Sequence, residues 1–202
     1  MRYFTLVFFG ILFLTPPQIK AQDILTLLNG KIISAKIISS DSVFITYNIQ
    51  KKNKIKQKTI PRDLVFVVQY SKGNTDTIYY QNPEIDQHLT VSEMELFIMG
   101  EQDAYEFHKS TWTAVVGVAF GATGGYLLNR SIAVAAVPLV YTVGAGISRV
   151  STRKLGGRSS EILSQPAYQE GYIKVARSKK AFTALVSSLA GTLIGFGVAY
   201  EQ

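Results

Sequence analysis

The chain contains no cysteine. That excludes disulfides, thiolate catalysis, cysteine-ligated metals and a lipid anchor on a processed cysteine. Histidine is almost as scarce. His88 and His108 are the only two, and neither has a second histidine or a carboxylate at metal-ligand spacing, so no metal and no cofactor is expected. Charge is missing from three long stretches rich in Gly and Ala: Ser110–Asn129, Ser131–Ser148 and Ala181–Tyr200. They are about 20, 18 and 20 residues long, the length needed to cross a bilayer as a helix.

What is present at the N-terminus reads as a targeting segment over residues 1–21. Arg2 supplies a short positive region, Phe4–Leu14 an apolar one, and Pro16–Ala21 a polar stretch ending in a small residue. Cleavage after Ala21 would leave Gln22 at the mature start; an uncleaved signal anchor is the alternative. Charge on the remainder is uneven. Residues 22–110 are near neutral, whereas 148–180 hold Arg149, Arg153, Lys154, Arg158, Lys174, Arg177, Lys179 and Lys180 against Glu161 and Glu170. A basic segment beside apolar runs points to anionic phospholipid as partner, and export argues against nucleic acid.

From Ile24 to Tyr80 short strand-like runs alternate with turn signals, defining a small β module over 22–86. Asn29-Gly30 suits the positive-φ positions of a tight hairpin turn. Val43, Ile45, Tyr47 and Ile49 alternate with polar residues, the period of a half-buried strand. Lys54, Lys56 and Lys58 form a stripe suited to a solvated edge. The continuous apolar run Leu64–Val68 is expected inside the sheet. Five or six short strands in so few residues predict a small SH3-like or Sm-like barrel or rolled sheet, with a three-stranded meander on a helix as the alternative. The fold class expected is α+β.

Thr90-Val91-Ser92-Glu93 has the spacing of a capping box and opens a connecting helix over 87–110. Gly100 within it costs about 1 kcal/mol relative to Ala, which suggests a kink or a close backbone approach there. Over 111–202 the chain reads as a Gly-rich, membrane-associated helical region. Gly117, Gly121 and Gly125 are spaced by four, as are Ser187, Gly191 and Gly195. Each set puts small residues on one helix face, where another backbone packs closely. Such faces predict helices packed on each other, or across a homo-oligomer. Asn129-Arg130 leaves room only for a tight hairpin or a broken re-entrant pair, and Pro138 is expected to kink or break the second run. Trp112, Tyr168, Tyr172, Lys174, Arg177, Lys179 and Lys180 are the candidates for lipid-headgroup contact, the tyrosines and lysines on a short interfacial helix leading into Ala181.

Topology is in tension. If the β module is exported and all three runs span, the basic 148–180 segment also lies outside, against the positive-inside tendency. A re-entrant first pair would put 148–180 in the cytoplasm; helices against the outer membrane, or a periplasmic bundle, would escape the rule.

Other patterns carry little chemistry. Ser151-Thr152-Arg153-Lys154 has Ser-x-x-Lys spacing without its partner motifs, and Gly121-Ala122-Thr123-Gly124-Gly125 lacks the Lys-Ser/Thr ending of a phosphate loop. Asp103 is the most interesting acid, and helix packing or capping, in preference to catalysis, is its expected role.

Four features together resemble exported envelope proteins of Bacteroidota type. These are Ala21-Gln22, a β module opening with a strand and Asn29-Gly30, the Gly-x-x-Asp-Ala motif of Gly100, Asp103 and Ala104, and the Tyr-x-x-Gly-Tyr-x-x-x-Ala motif from Tyr168 to Ala176. His108 and Lys109 depart from the aromatic and small residues more usual there, and the middle region matches poorly. The resemblance implies envelope location and this layout, with no activity attached. The expected function is a non-enzymatic scaffold, a periplasm-facing β module anchored by glycine-spaced helices in an envelope assembly. An oligomeric pore or membrane-remodelling protein, with Gly117, Gly121 and Gly125 between subunits, is the rival, and an enzyme of cell-wall or lipid metabolism a third reading.

Overall fold

The computed structural model describes residues 22–51, 54–85, 87–151 and 158–201. The targeting segment and Thr152–Lys154 of the Ser-x-x-Lys match lie outside the described residues. The chain divides into two compact units, one holding Ile32–Ile78 with the residues up to Thr26, the other Leu27–Lys31 with Tyr79–Gln202. The fold is α+β.

The first unit is a six-stranded antiparallel sheet of β1 (Asp23–Leu27), β2 (Ile32–Ser40), β3 (Phe44–Lys51), β4 (Lys54–Pro61), β5 (Val65–Gln69) and β6 (Thr75–Thr77), in the order β4-β3-β2-β1-β5-β6. Local chemistry accounts for the connections. Gly30 adopts φ +73° in the Asn29-Gly30 turn, where a side chain would be strained. Asp41 Oδ1 accepts from the Val43 and Phe44 nitrogens at 2.8 and 2.7 Å and closes the β2–β3 turn. Leu25, Ala35, Ile45 and Tyr47 are buried on one side of the sheet, and in β5 the four consecutive residues Val65–Val68 are buried on both.

The sheet does not close, so a complete barrel is not what these strands make. β4 and β6 are its two edges. β4 is exposed from Lys54 to Thr59, so its lysine-striped side stays in water and buries too little apolar area to drive closure. β5, by contrast, lies between β1 and β6 as its continuous apolar run requires. The anchor of the sheet is Asp23, whose carboxylate accepts from the Ile37 nitrogen at 2.9 Å and the Ser71 nitrogen at 2.8 Å. One buried side chain thereby ties β1, β2 and the end of β5 together.

The second unit is helical: α1 (Val91–Phe107), α2 (Thr111–Leu127), α3 (Ala136–Ile147), α4 (Ser160–Ser164) and α5 (Pro166–Tyr200). The capping box forms as expected, with the Glu93 nitrogen donating to Thr90 Oγ1 and the Thr90 nitrogen to Glu93 Oε2. The second apolar run changes helix type one turn before Pro138. A 3-10 turn, Ile132–Ala135, precedes α3, and Pro138 falls in the first turn of α3, where its missing N–H has no partner to lose. The short interfacial helix expected before Ala181 is instead the first half of α5, which runs 35 residues without interruption from Pro166 at its first turn. At 1.5 Å per residue that is about 52 Å, well beyond the roughly 30 Å of a hydrocarbon core. Among the described residues α5 alone is long and apolar enough to cross a membrane. The first two apolar runs are shorter as helices, 17 and 12 residues.

Candidate functional site

The spaced glycines of α2 and α5 face each other within one chain. A Cβ added at Gly121 would lie 2.8 Å from the Thr192 nitrogen, and one at Gly191 would lie 2.9 Å from the Ala122 nitrogen. Gly125 abuts the Thr192 backbone, Gly195 that of Ala122, and Gly117 the Ser187 side chain. Residue numbers rise together along this seam, so the helices run parallel. Backbones this close gain dispersion and Cα–H···O contacts that larger residues would forbid. The motif glycine Gly100 works the same way one level up: its Cβ would meet the Tyr172 nitrogen at 2.9 Å, and that of Gly171 the Phe97 carbonyl carbon at 2.9 Å. There is a close approach at Gly100, and α1 stays one helix through it. Ala104, fully buried, packs with Tyr172, Val175 and Ala176.

Hydroxyls in the seam are satisfied inside their own helix. Ser188 Oγ donates to Ala184 O at 2.6 Å and Thr192 Oγ1 to Ser188 O at 2.8 Å. The lower half of the unit is thus built with small residues inside. Its buried positions include Gly117, Gly121, Gly125, Ser188, Gly191 and Gly195, while Leu139, Val143, Phe182, Leu193 and Ile194 point outward, Leu193 72% exposed. This inverts the usual distribution in water.

α3 folds back along α2. Val137 sits against Gly124, Phe120 stacks on Tyr141 with ring centroids 5.4 Å apart, and the Tyr141 hydroxyl donates to Thr113 O at 2.7 Å. The pair is an antiparallel hairpin, so Ser148 returns to the end that Ser110 left. The lysines of α5 mark that end. Lys179 Nζ donates to His108 O at 2.8 Å, Tyr105 O at 3.1 Å and Ala104 O at 3.3 Å, and Lys180 Nζ bonds Ser148 Oγ. A re-entrant pair that delivers 148–180 to the opposite side is therefore not formed.

A polar belt occupies this level and the turns of α1 above it. Asp103 is its centre, its side chain 4% exposed. Arg158 Nε and Nη2 donate to its two oxygens at 2.8 and 2.9 Å, and the Tyr168 hydroxyl donates to Oδ2 at 2.7 Å. Burial alone would raise the Asp103 carboxyl, but these bonds hold it below the ordinary carboxylate range. The Tyr168 phenol is pushed far up by burial and by the carboxylate it serves. Nearby, Lys174 Nζ pairs with buried Glu101 at 2.9 Å and lies 5.0 Å above the Phe97 ring.

Several headgroup candidates are thereby committed elsewhere. Tyr168 and Tyr172 are buried, at 0% and 3% exposure, between α1 and α5; two rings that serve helix packing do not lie at a lipid surface. Lys174 gives one donor to Glu101 and stays largely exposed, whereas the three donors of Lys179 are all spent on the carbonyls at the end of α1, a C-terminal cap. Trp112, 81% exposed, and Arg177 remain at the surface, and Lys180 keeps a donor beyond its bonds to Ser148 and Arg149. Asp103 joins α1 to Tyr168 of α5, and its partner Arg158 was not legible: the two stand 55 residues apart, and no local spacing links them. Glu101 and Asp23 were missed for the same reason.

Comparison with protein-family models, with curated proteins and with solved structures finds no match.

Proposed function

We propose that this chain is a non-enzymatic envelope protein in which the sheet module is displayed at a membrane surface and acts as an interaction scaffold. The observation that carries the reading is the inverted lower half of the helical unit. Gly, Ser and Ala fill its interior and large apolar side chains cover its exterior, an arrangement stabilised by lipid and not by water. Trp112, Arg149 and Lys180 lie at one end of that apolar surface, where a headgroup layer would sit. An export-type N-terminus supports placing the module in the periplasm. The open edge β4 supports the interaction role, since its unpaired side can be read by another chain. Gly117, Gly121 and Gly125, the contact face of the pore alternative, pack against α5 of the same chain, which favours the scaffold reading.

The test is alkaline carbonate extraction of membranes from expressing cells, followed by trypsin access in spheroplasts. Retention in the pellet, with cleavage in 149–158 by external trypsin, is the expected outcome. Release by carbonate sinks the membrane reading; retention with cleavage only after lysis sinks the periplasmic placement.

A further inference from the structure

The outward face of the α2–α3 hairpin is not evenly filled. A groove of about 460 Å³ runs between the two helices. Val116, Phe120 and Val140 line its walls, the stacked Tyr141 ring forms part of its floor, and Gly144 leaves it open. From Trp112 to Phe120 it follows eight residues of helix, about 12 Å, close to the depth of one leaflet of the hydrocarbon core. The mouth is chemically different from the interior. Trp112, Ser148 and Lys180 surround it, and Arg149 beside them is exposed. Lys180 spends one donor on Ser148 Oγ and one, at 3.4 Å, on Arg149 O, which leaves its ammonium a third for a ligand.

An apolar slot of leaflet depth with a cation at one end has the polarity of a single phospholipid. We propose that this groove binds one anionic phospholipid, an acyl chain between α2 and α3 and the phosphate at Lys180, which Ser148 holds in place by accepting one of its donors while giving its own hydrogen to Ala145 O. A zwitterionic lipid would fill the slot equally well, but its own ammonium sits beside its phosphate, so its net attraction to Lys180 is weaker. The inference rests on the membrane reading above and adds to it a defined site with a stated ligand. It also gives Lys180 a role apart from that of Lys179, whose donors are all occupied.

Gly144 supplies the test. A Cβ added there meets nothing within 4 Å, so Gly144→Leu fills the groove without disturbing the helices. Gly197, equally open on α5 and away from the groove, gives the control Gly197→Leu. The full chain is reconstituted in phosphatidylcholine vesicles doped with phosphatidylglycerol or phosphatidylcholine carrying a diazirine in one acyl chain. After flotation and irradiation, adducts are mapped by peptide mass spectrometry. The phosphatidylglycerol probe is expected to label 116–120 and 140–144 about fivefold more than the phosphatidylcholine probe, the preference one lysine near an anionic headgroup contributes. Gly144→Leu should abolish that excess while flotation is unchanged, and Gly197→Leu should keep it. Lys180→Gln should bring the two probes to parity. Equal labelling by both probes in the unaltered chain, labelling spread evenly around α2, α3 and α5, or cross-links between copies through the groove would each overturn the site while leaving membrane association intact. A chain that does not float overturns both.

Discussion

Gly121→Leu is expected to separate α2 from α5. Its Cβ would land on the Ser188 carbonyl group and 2.8 Å from the Thr192 nitrogen. These are backbone atoms of a helix, so no rotamer change relieves the collision. A side chain forced into a packed core usually costs 1–3 kcal/mol; a backbone-to-backbone collision has less freedom to relax, and a loss above about 3 kcal/mol is expected. Gly191→Leu, which meets Val118 and Ala122 from the other side of the same seam, should match it, and even Gly121→Ala should destabilise, because the Cβ itself collides. Gly197→Leu serves as the internal standard. Open space surrounds that Cβ, and the expected change is within about 0.5 kcal/mol. Unfolding of the purified full chain in mild detergent, followed by protease resistance of α5, reads all four variants. Equal sensitivity at positions 121 and 197 would mean that the seam is not where the helices are held.

The positions that sequence exposes and those that it hides differ in a physical way. Glycines spaced by four are visible because one helix face repeats along the chain, and both the close contact at Gly100 and the seam at Gly121 follow from that periodicity. The capping box at Thr90 is equally local, as is the alternation in Val43–Ile49 that buries Ile45 and Tyr47. Non-local pairing leaves no such trace. Arg158 looks like one more basic residue in a basic segment until α1 and α5 bring it to Asp103. The aromatic pair Tyr168 and Tyr172 has the spacing of an interfacial helix, yet the same spacing serves a buried helix face equally well. What decided between them was Gly171, which lets α1 come so near that both rings must lie inside. Closure of the sheet was overestimated because strand count and turn signals constrain pairing along the order but say nothing about whether the last edge finds the first. The lysines of β4 were the available signal against it.

Asp103→Asn tests whether the belt above the apolar half is held by charge or by shape. Asparagine keeps the volume but removes the negative charge from beside Arg158 and presents an amide donor to one of its nitrogens. With Asp103 buried, and Arg158 discounted because its side chain is 37% exposed, a loss of about 2 kcal/mol is expected. The pH dependence distinguishes this from a packing defect. The Asp103 carboxyl is held below its ordinary 3.8 in the folded chain, so the unfolded chain takes up that proton first. Its contribution is complete above that value and is lost as pH falls below it. A second, separate loss is expected at milder acidity. Burial, then Lys179 and Lys180, hold the His108 imidazole below its ordinary 6.5, so stability declines as pH drops through that value, in the unaltered chain and in Asp103→Asn alike. The two chains should therefore run parallel through the histidine window and begin to converge below about pH 3.8, where the carboxyl of the unfolded chain takes up its proton while the folded one is still ionised. Denaturant titrations at a series of pH values in one detergent read the difference directly. A gap between the chains that stays constant down to strong acid would assign Asp103 a steric role and remove the ion pair from the account of how α1 is held to α5.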